Sequence, residues 1–306
     1  MKAIRLHQYG GPENLRYDED VSEPDCAADQ VLVDVWATSV NPIDWKVRSG
    51  ARQKDFPMAL PGILGKDVSG VVRAVGADIR TFRVGDRVLG MADATYAERT
   101  AVKGTDLAHL PHGVDAVDAA ALPLVALTGD QLVREITKVR AGQTVLVSGA
   151  LGSVGRTAVH VAKKLGARVI AGVRARQLDE AAALGAAGTV ALDDEAALRR
   201  LGPVDGVVDT VGGDVAARLF ELIRDGGRFG YASVLPADVP ARYPGVTVGR
   251  VFARPDAATV RAFADDVRDG RFHLPIARRL PLREAAEAHA LAERGGAGKI
   301  VLVVRE

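Results

Sequence analysis

The clearest pattern of apolar and polar positions lies between Thr144 and Arg176. Thr144-Val-Leu-Val-Ser148 is a short, β-branched run that ends in glycines, as expected of a strand buried on both faces. Ala158, Val161, Ala162 and Leu165 then recur at helical spacing, and Gly166 marks the stop. A second apolar run, Val169 to Val173, follows. Strand, glycine turn, helix and strand predict a βαβ unit, whose parallel strands need the helical crossover.

The pattern before this unit is different. Residues 1 to about 110 read as short strands separated by Gly/Pro turns, such as Gly10-Gly11-Pro12 and Leu60-Pro61-Gly62. Val31, Val33 and Val35 alternate on one face, and Val68–Val75 and Asp86–Met91 are further strands. From Asp115 the chain becomes Ala-rich and helical, and Pro123 marks a join. Strand and helix then alternate, with Thr189–Leu192, Gly206–Thr210, Gly227–Tyr231 and Val246–Phe252 as strands, which implies a parallel sheet covered by helices. Leu282 to Arg294 reads as a helix and Gly298 to Val304 as a final strand, expected to complete the first domain. The predicted division is 1–122 with 265–306, and 123–264. The fold class is α/β.

The glycine turn carries the first chemical signal. Ala150-x-Gly152-x-x-Gly155 is a dinucleotide fingerprint with alanine in its first place and Gly149 before it. Gly152 lets the backbone approach a pyrophosphate, Gly155 lets helix and strand pack closely, and the helix N-terminus faces the phosphates. An NAD site usually carries Asp or Glu about 20 residues on, at the end of the second strand. Here that place reads Val173-Arg174-Ala175-Arg176, and no carboxylate precedes Asp179. Arg174 and Arg176 suit a 2′-phosphate, so NADPH is the expected cofactor; the alternative is that both are solvated loop charges.

Composition narrows the field. The chain has 306 residues, a formal net charge of +1 and 48% hydrophobic residues, ordinary material for packed domains without an electrostatic bias toward nucleic acid or anionic membranes. One cysteine, Cys26, excludes an intramolecular disulfide and argues against a thiolate-rich metal site. No apolar run has the length of a membrane span, and the opening Met1-Lys2-Ala3-Ile4 reads as a strand, so a cytoplasmic setting is expected.

With these residues in place, the chain resembles the zinc-free, quinone oxidoreductase-like branch of the medium-chain dehydrogenase/reductase superfamily over nearly its whole length. The resemblance rests on Asn41-Pro42-Ile-Asp44 with Arg48 and Gly50, Pro61-Gly62-x-x-Gly65-x-Asp67-x-x-Gly70, Val84-Gly85-Asp86-Arg87-Val88, Ala121-Leu122-Pro123 with Leu127-Thr128, the glycine turn, and Gly298-Lys299-Ile300-Val301. It implies a GroES-like β domain built from both chain ends and a Rossmann, doubly wound parallel sheet, with the active cleft between them. It implies further that Asn41 and Thr128 sit near nicotinamide or substrate and that Gly149-Ala150-Leu151-Gly152-Ser153-Val154-Gly155 holds the cofactor. Two more turns, Asp209-Thr210-Val211 and Ala232-Ser233, follow Rossmann strands and would pass under the nicotinamide ribose.

The zinc ligands of related alcohol dehydrogenases have no counterpart. Asn41 stands where the resemblance would put a cysteine, and Gly65-Lys66-Asp67 where it would put Gly-His-Glu. Without a Lewis acid, alcohol oxidation is disfavoured, while a quinone or an enone still accepts hydride readily. The expected activity is therefore reduction of a quinone or α,β-unsaturated carbonyl by direct hydride transfer. An enoyl-thioester reductase and a low-turnover NADPH-binding redox sensor or structural protein are the alternatives. Asn41 is a candidate hydrogen-bond donor to the developing oxyanion or an organiser of its turn. Lys46 stands where relatives often carry tyrosine, and is a candidate proton donor or a solvated helix residue. Val246–Phe252, with no proline and only Arg250 as a charge, reads as an edge strand; the resemblance implies that it meets its copy across a two-fold axis, so a homodimer through residues 246–252 is expected, the alternative being an edge covered by its own loop.

Overall fold

The computed structural model describes residues 1–305. The chain forms two compact units, Met1–Leu124 with Pro255 onward, and Val125–Arg254.

The first unit is built mainly from antiparallel strands: β1 (Ala3–Leu6), β2 (Leu15–Asp18), β3 (Gln30–Val40), β4 (Gly62–Ile63), β5 (Asp67–Val75), β6 (Arg87–Met91), β7 (Arg99–Lys103) and β8 (Leu107–His109). The long β3 is its axis, pairing with both β5 and β7. The alternation seen in the sequence puts Val31, Val33 and Val35, all fully buried, into one apolar cluster with Val68, Val72, Val88 and Val102. A short helix, Pro42–Arg48, leaves the end of β3 with proline at its first position, where a missing N–H costs nothing.

The second unit is a six-stranded parallel sheet: β9 (Thr144–Ser148), β10 (Arg168–Val173), β11 (Gly188–Ala191), β12 (Val204–Asp209), β13 (Ile223–Tyr231) and β14 (Thr247–Arg250). Its spatial order is β11-β10-β9-β12-β13-β14, so the order reverses beside β9. That is the Rossmann arrangement, in which ligands bind at the carboxyl ends of the strands on either side of the switch point. The helix Ser153–Lys164 links β9 to β10, buries Ala158, Val161 and Ala162, and stops before Gly166, whose φ of +77° suits a residue without a Cβ. β14 is an edge strand, as its pattern predicts, although it spans Thr247–Arg250 only.

Strands β15 (Ile276–Pro281) and β16 (Lys299–Val303) return to the first unit, where β16 pairs antiparallel with β3. The chain crosses back at residue 255, earlier than the boundary of 264 read from the pattern. The Gln131 side chain brackets the backbone of Arg254 through two hydrogen bonds of 2.8 and 3.0 Å, fastening the last residue of the second unit. The next helix, Ala257–Arg268, packs against β8 and sets Phe263 edge-on to Phe272 at 5.2 Å, inside the first unit. A helix after a Rossmann strand looks alike in sequence whichever unit it packs on. No described helix is long and apolar enough to cross a membrane.

Candidate functional site

In the second unit the glycine turn joins β9 to the helix Ser153–Lys164, with Gly152 at the N-cap. Each glycine is needed for a different reason. Gly149 has a φ of +64°, and a Cβ there would also meet Thr210 Cβ and Val211 Cγ2, the latter at 3.0 Å. A methyl on Gly155 would overlap the Gly149 carbonyl and approach Ala150 Cα at 2.8 Å, so the helix can sit this close to the strand only without it. Gly152 is exposed, with an ordinary φ of −68°, and a Cβ there would meet only Gly149 O at 3.2 Å. Its missing side chain leaves room on the open side of the turn, in front of the helix N-terminus, where an anion is favoured.

The neighbouring strand ends converge on this turn. Ser148 Oγ donates to Asp209 Oδ1 at 2.5 Å, and the N–H groups of Val211 and Gly212 donate to the same oxygen at 3.2 and 3.3 Å. Thr210 Oγ1 donates to Ser148 O at 2.8 Å. Asp209 is fully buried; burial pushes its carboxyl up, opposed by the hydrogen bonds from Ser148, Gly212 and Val211. Its side chain thus locks the ends of β9 and β12 together, and the turn presents Thr210 and the exposed Val211 instead. A Cβ on Gly212 would come within 2.7 Å of Ser233 Oγ, which places the Ala232-Ser233 turn beside the same loop. The residues expected from β9, β12 and β13 therefore lie together at one end of the sheet.

Arg174 and Arg176 stand exposed just past β10, and neither makes an ion pair among the described residues. The structure adds a group that the linear sequence hides. β10 and β11 run parallel with Val173 level with Ala191, so the residues two further on meet: Ala175 N donates to Asp193 Oδ1 at 2.8 Å. Asp193 is 18 positions from Ala175 in the chain, and only the strand register brings it here. Arg156, on the first turn of the helix, ties the glycine turn to the same region by donating to Leu151 O at 3.0 Å and to Glu180 at 2.9 Å.

Thr128 lies half-buried on the helix Pro123–Gln131. Next to it, a Cβ on Gly129 would approach Thr157 Cβ at 2.8 Å, so this helix rests directly on the helix that follows the glycine turn.

In the first unit Asn41 caps the helix Pro42–Arg48 at the end of β3 and is 2% exposed. Its amide is already committed. Nδ2 donates to Asp67 Oδ2 at 2.7 Å and weakly to Ser39 Oγ at 3.4 Å, and Oδ1 accepts from Lys299 Nζ at 2.7 Å. Asp67 also accepts from Ser39 Oγ and, at 2.7 Å, from Leu124 N. Of the two roles expected for Asn41, the organiser of its turn is the one these contacts describe: both ends of the amide hold neighbouring elements. Burial lowers the Lys299 ammonium, opposed by Asp67 and Asp44.

Asp44 lies one helical turn on. Burial raises its carboxyl to about 7, opposed by the hydrogen bond from Asn41 N, while the charge of Asp67 raises it further. Tyr96 donates to Asp44 Oδ2 at 3.2 Å, so the tyrosine oxygen accepts from His289 Nε2 at 3.1 Å. That assigns the proton to Nε2 and leaves Nδ1 as a buried acceptor without a partner. Burial, with the nearby Arg48 charge, holds His289 down to about 3, so it is neutral. Lys46 is half-buried in the same helix, its ammonium 5.4 Å from the ring centre of Trp45.

Asp67, Lys299, Asp44 and His289 went unrecognised as a cluster because they come from four separate stretches of chain. The one available signal was Gly298-Lys299, a lysine opening an otherwise apolar strand. The donor set does not fit a zinc ion. Lys66 is paired with Asp93, the Asp67 carboxylate faces the Lys299 ammonium, and an amide, Asn41, and a lysine, Lys66, stand where thiolate and imidazole ligands would be needed.

Known proteins share this architecture. Residues 27–112 match the alcohol dehydrogenase GroES-like domain, and residues 184–302 match a family described as zinc-binding dehydrogenase. The chain is 33% identical over 330 aligned positions to a quinone oxidoreductase of Pseudomonas aeruginosa, covering 99% of both chains. Among solved structures, the quinone oxidoreductase of Coxiella burnetii superposes with a TM-score of 0.88 at 29% identity, covering 100% of this chain and 99% of that one. The Escherichia coli quinone oxidoreductase, solved in complex with NADPH, gives 0.87 at 26% identity, covering 99% and 100%. The chain belongs to the medium-chain dehydrogenase/reductase superfamily, in its quinone oxidoreductase-like branch. It is an oxidoreductase of the kind that uses a nicotinamide cofactor.

Proposed function

We propose that the protein is an NADPH-dependent oxidoreductase that reduces a quinone or an α,β-unsaturated carbonyl without a metal ion. The observation that carries this is the glycine turn of residues 149–155, opening a twelve-residue helix, with Arg174 and Arg176 exposed at the end of the adjacent strand. The vacant side of Gly152 and the close approach allowed by Gly149 and Gly155 fit a dinucleotide pyrophosphate. When bound, the reduced nicotinamide supplies a hydride.

The chain's own residues do the rest. Ser153 and Val154 offer free N–H groups at the start of the helix. The two guanidinium groups offer planar donor forks to a 2′-phosphate. Thr210, Val211, Ala232 and Ser233 supply the wall from the ends of β12 and β13. The Asn41 cluster is built of an amide, carboxylates and an ammonium rather than thiolates and imidazoles, which supports an acceptor that takes hydride without a Lewis acid, as quinones and enones do. Reduction of a quinone also consumes a proton, and the half-buried Lys46 is our candidate to provide it.

We further propose that β14, an edge strand with the 54%-exposed Phe252 just beyond it, pairs with its copy in a homodimer. A single cysteine and a net charge of +1 are consistent with a cytoplasmic setting. The reading is tested by mixing protein with NADPH and a panel of small quinones and enones and following loss of reduced cofactor. Turnover on at least one class is expected, and none above a blank on either class overturns it.

A further inference from the structure

The loop that would read the adenosine end of the cofactor contains more than its two arginines. Asp193 reaches it from the end of β11, and its Oδ1 holds Ala175 N, the residue between Arg174 and Arg176, at 2.8 Å. Leu192 N donates to Val173 O at 2.7 Å, so the two strand ends are in register up to this contact. Asp193 Oδ2 has no protein partner among the described residues, and the residue is exposed. A carboxylate with one oxygen anchoring the loop and the other open is equipped to accept a hydrogen bond from a ribose hydroxyl, the role an acidic residue plays in NAD sites. The same charge repels a dianionic phosphate placed beside it.

We propose that Asp193 is a specificity-determining residue for the cofactor, offsetting part of the positive charge of Arg174 and Arg176 so that NADH remains a usable second cofactor beside NADPH. The proposal rests on the assignment of this loop to the 2′-phosphate. It separates two functions of one side chain: a hydrogen bond that shapes the loop, and a charge that sets the preference. Asp193→Asn keeps an acceptor for Ala175 N and removes only the charge.

The test is a fluorescence titration of NADPH and NADH into the unaltered protein, Asp193→Asn, and Asp194→Asn as a charge control. Asp194 is the adjacent carboxylate, but it caps the helix Glu195–Leu201 by accepting from Ala197 N at 3.0 Å. In Asp193→Asn, NADPH tightens about three- to tenfold while NADH holds or weakens, as expected for removing a partly solvated like charge. Asp194→Asn leaves the ratio within about twofold, since its charge is turned to its own helix. Raising the ionic strength shrinks the difference between the first two proteins. Should Asp193→Asn fold poorly, Asp193→Ser, which also offers an acceptor, gives the same comparison. A merely structural role would shift both cofactors together. An unchanged NADPH/NADH ratio in both Asp193 variants, or an equal change in Asp194→Asn, overturns the proposal while leaving the cofactor site standing. Failure of the unaltered protein to bind either dinucleotide overturns the site assignment, and this proposal with it.

Discussion

The ammonium of Lys299 lies 2.7 Å from Asn41 Oδ1, while Asn41 Nδ2 lies 2.7 Å from Asp67, so a cation and an anion clamp the two ends of one buried amide. The charges leave one orientation of that amide possible. Through it, the end of β3, the start of β5 and the start of β16 are joined at a single point.

Removing one partner of this clamp leaves the others buried without compensation. Lys299→Met should lower stability by about 3–5 kcal/mol, the usual cost of breaking a buried pair from one side. Combining it with Asp67→Asn should cost less than the sum of the two single changes, because the second change removes the orphaned charge. Urea denaturation of the three variants measures this, and strict additivity would show that the clamp is not a unit.

Asp44 and His289 give the first unit opposing responses to pH. The carboxyl is raised from 3.8 to about 7, so its contribution is fully present below about 4 and is lost as pH rises through 7. The imidazole is lowered from 6.5 to about 3, so its contribution is fully present above 6.5 and is lost as pH falls through 3. Between 3.8 and 6.5 the two slopes have opposite signs and largely cancel. Asp44→Asn should therefore expose a loss of stability on acidification from pH 6.5, and His289→Gln a gain on acidification from pH 7. Thermal unfolding across this range checks both signs.

The glycines of the turn should separate folding from binding. Gly155→Ala forces a methyl into the Gly149 carbonyl and should displace the helix, lowering the melting temperature. Gly152→Ala meets little in the protein itself. It should leave unfolding nearly unchanged and weaken dinucleotide binding at least about tenfold, or about 1.4 kcal/mol, by occupying the space meant for the pyrophosphate. Calorimetric melting and a cofactor titration on each variant make the comparison.

The division of what could be read in advance follows from how far each signal reaches along the chain. The β9–helix–β10 unit was legible because its strand, turn and helix signals are consecutive and agree with one another. The alternation of Val31, Val33 and Val35 likewise marked a strand with a buried face. Asp193 was not legible as a neighbour of Ala175, since the contact is set by the parallel register of two strands rather than by spacing. The Asn41 cluster was hidden for the same reason: Asp67 and Lys299 come from distant strands that only the β3-centred sheet brings together. The join at residue 255 depends on which surface the helix Ala257–Arg268 packs against, and its amphipathic pattern is the same either way.

The exposed edge makes a prediction about assembly. Light scattering should give the mass of two chains, and Phe252→Asp, which puts a charge beside β14, should shift the protein toward one. A monomer at high concentration contradicts the pairing.

The most direct test of the central claim is the rate of cofactor oxidation with a small quinone or enone, measured with NADPH and NADH and repeated on Arg174→Gln/Arg176→Gln. The predicted result is turnover of at least one acceptor, faster at low NADPH than at low NADH, with the NADPH advantage lost in the double variant through a raised KM. No turnover of either acceptor class, or a double variant that keeps its preference for NADPH, would contradict it.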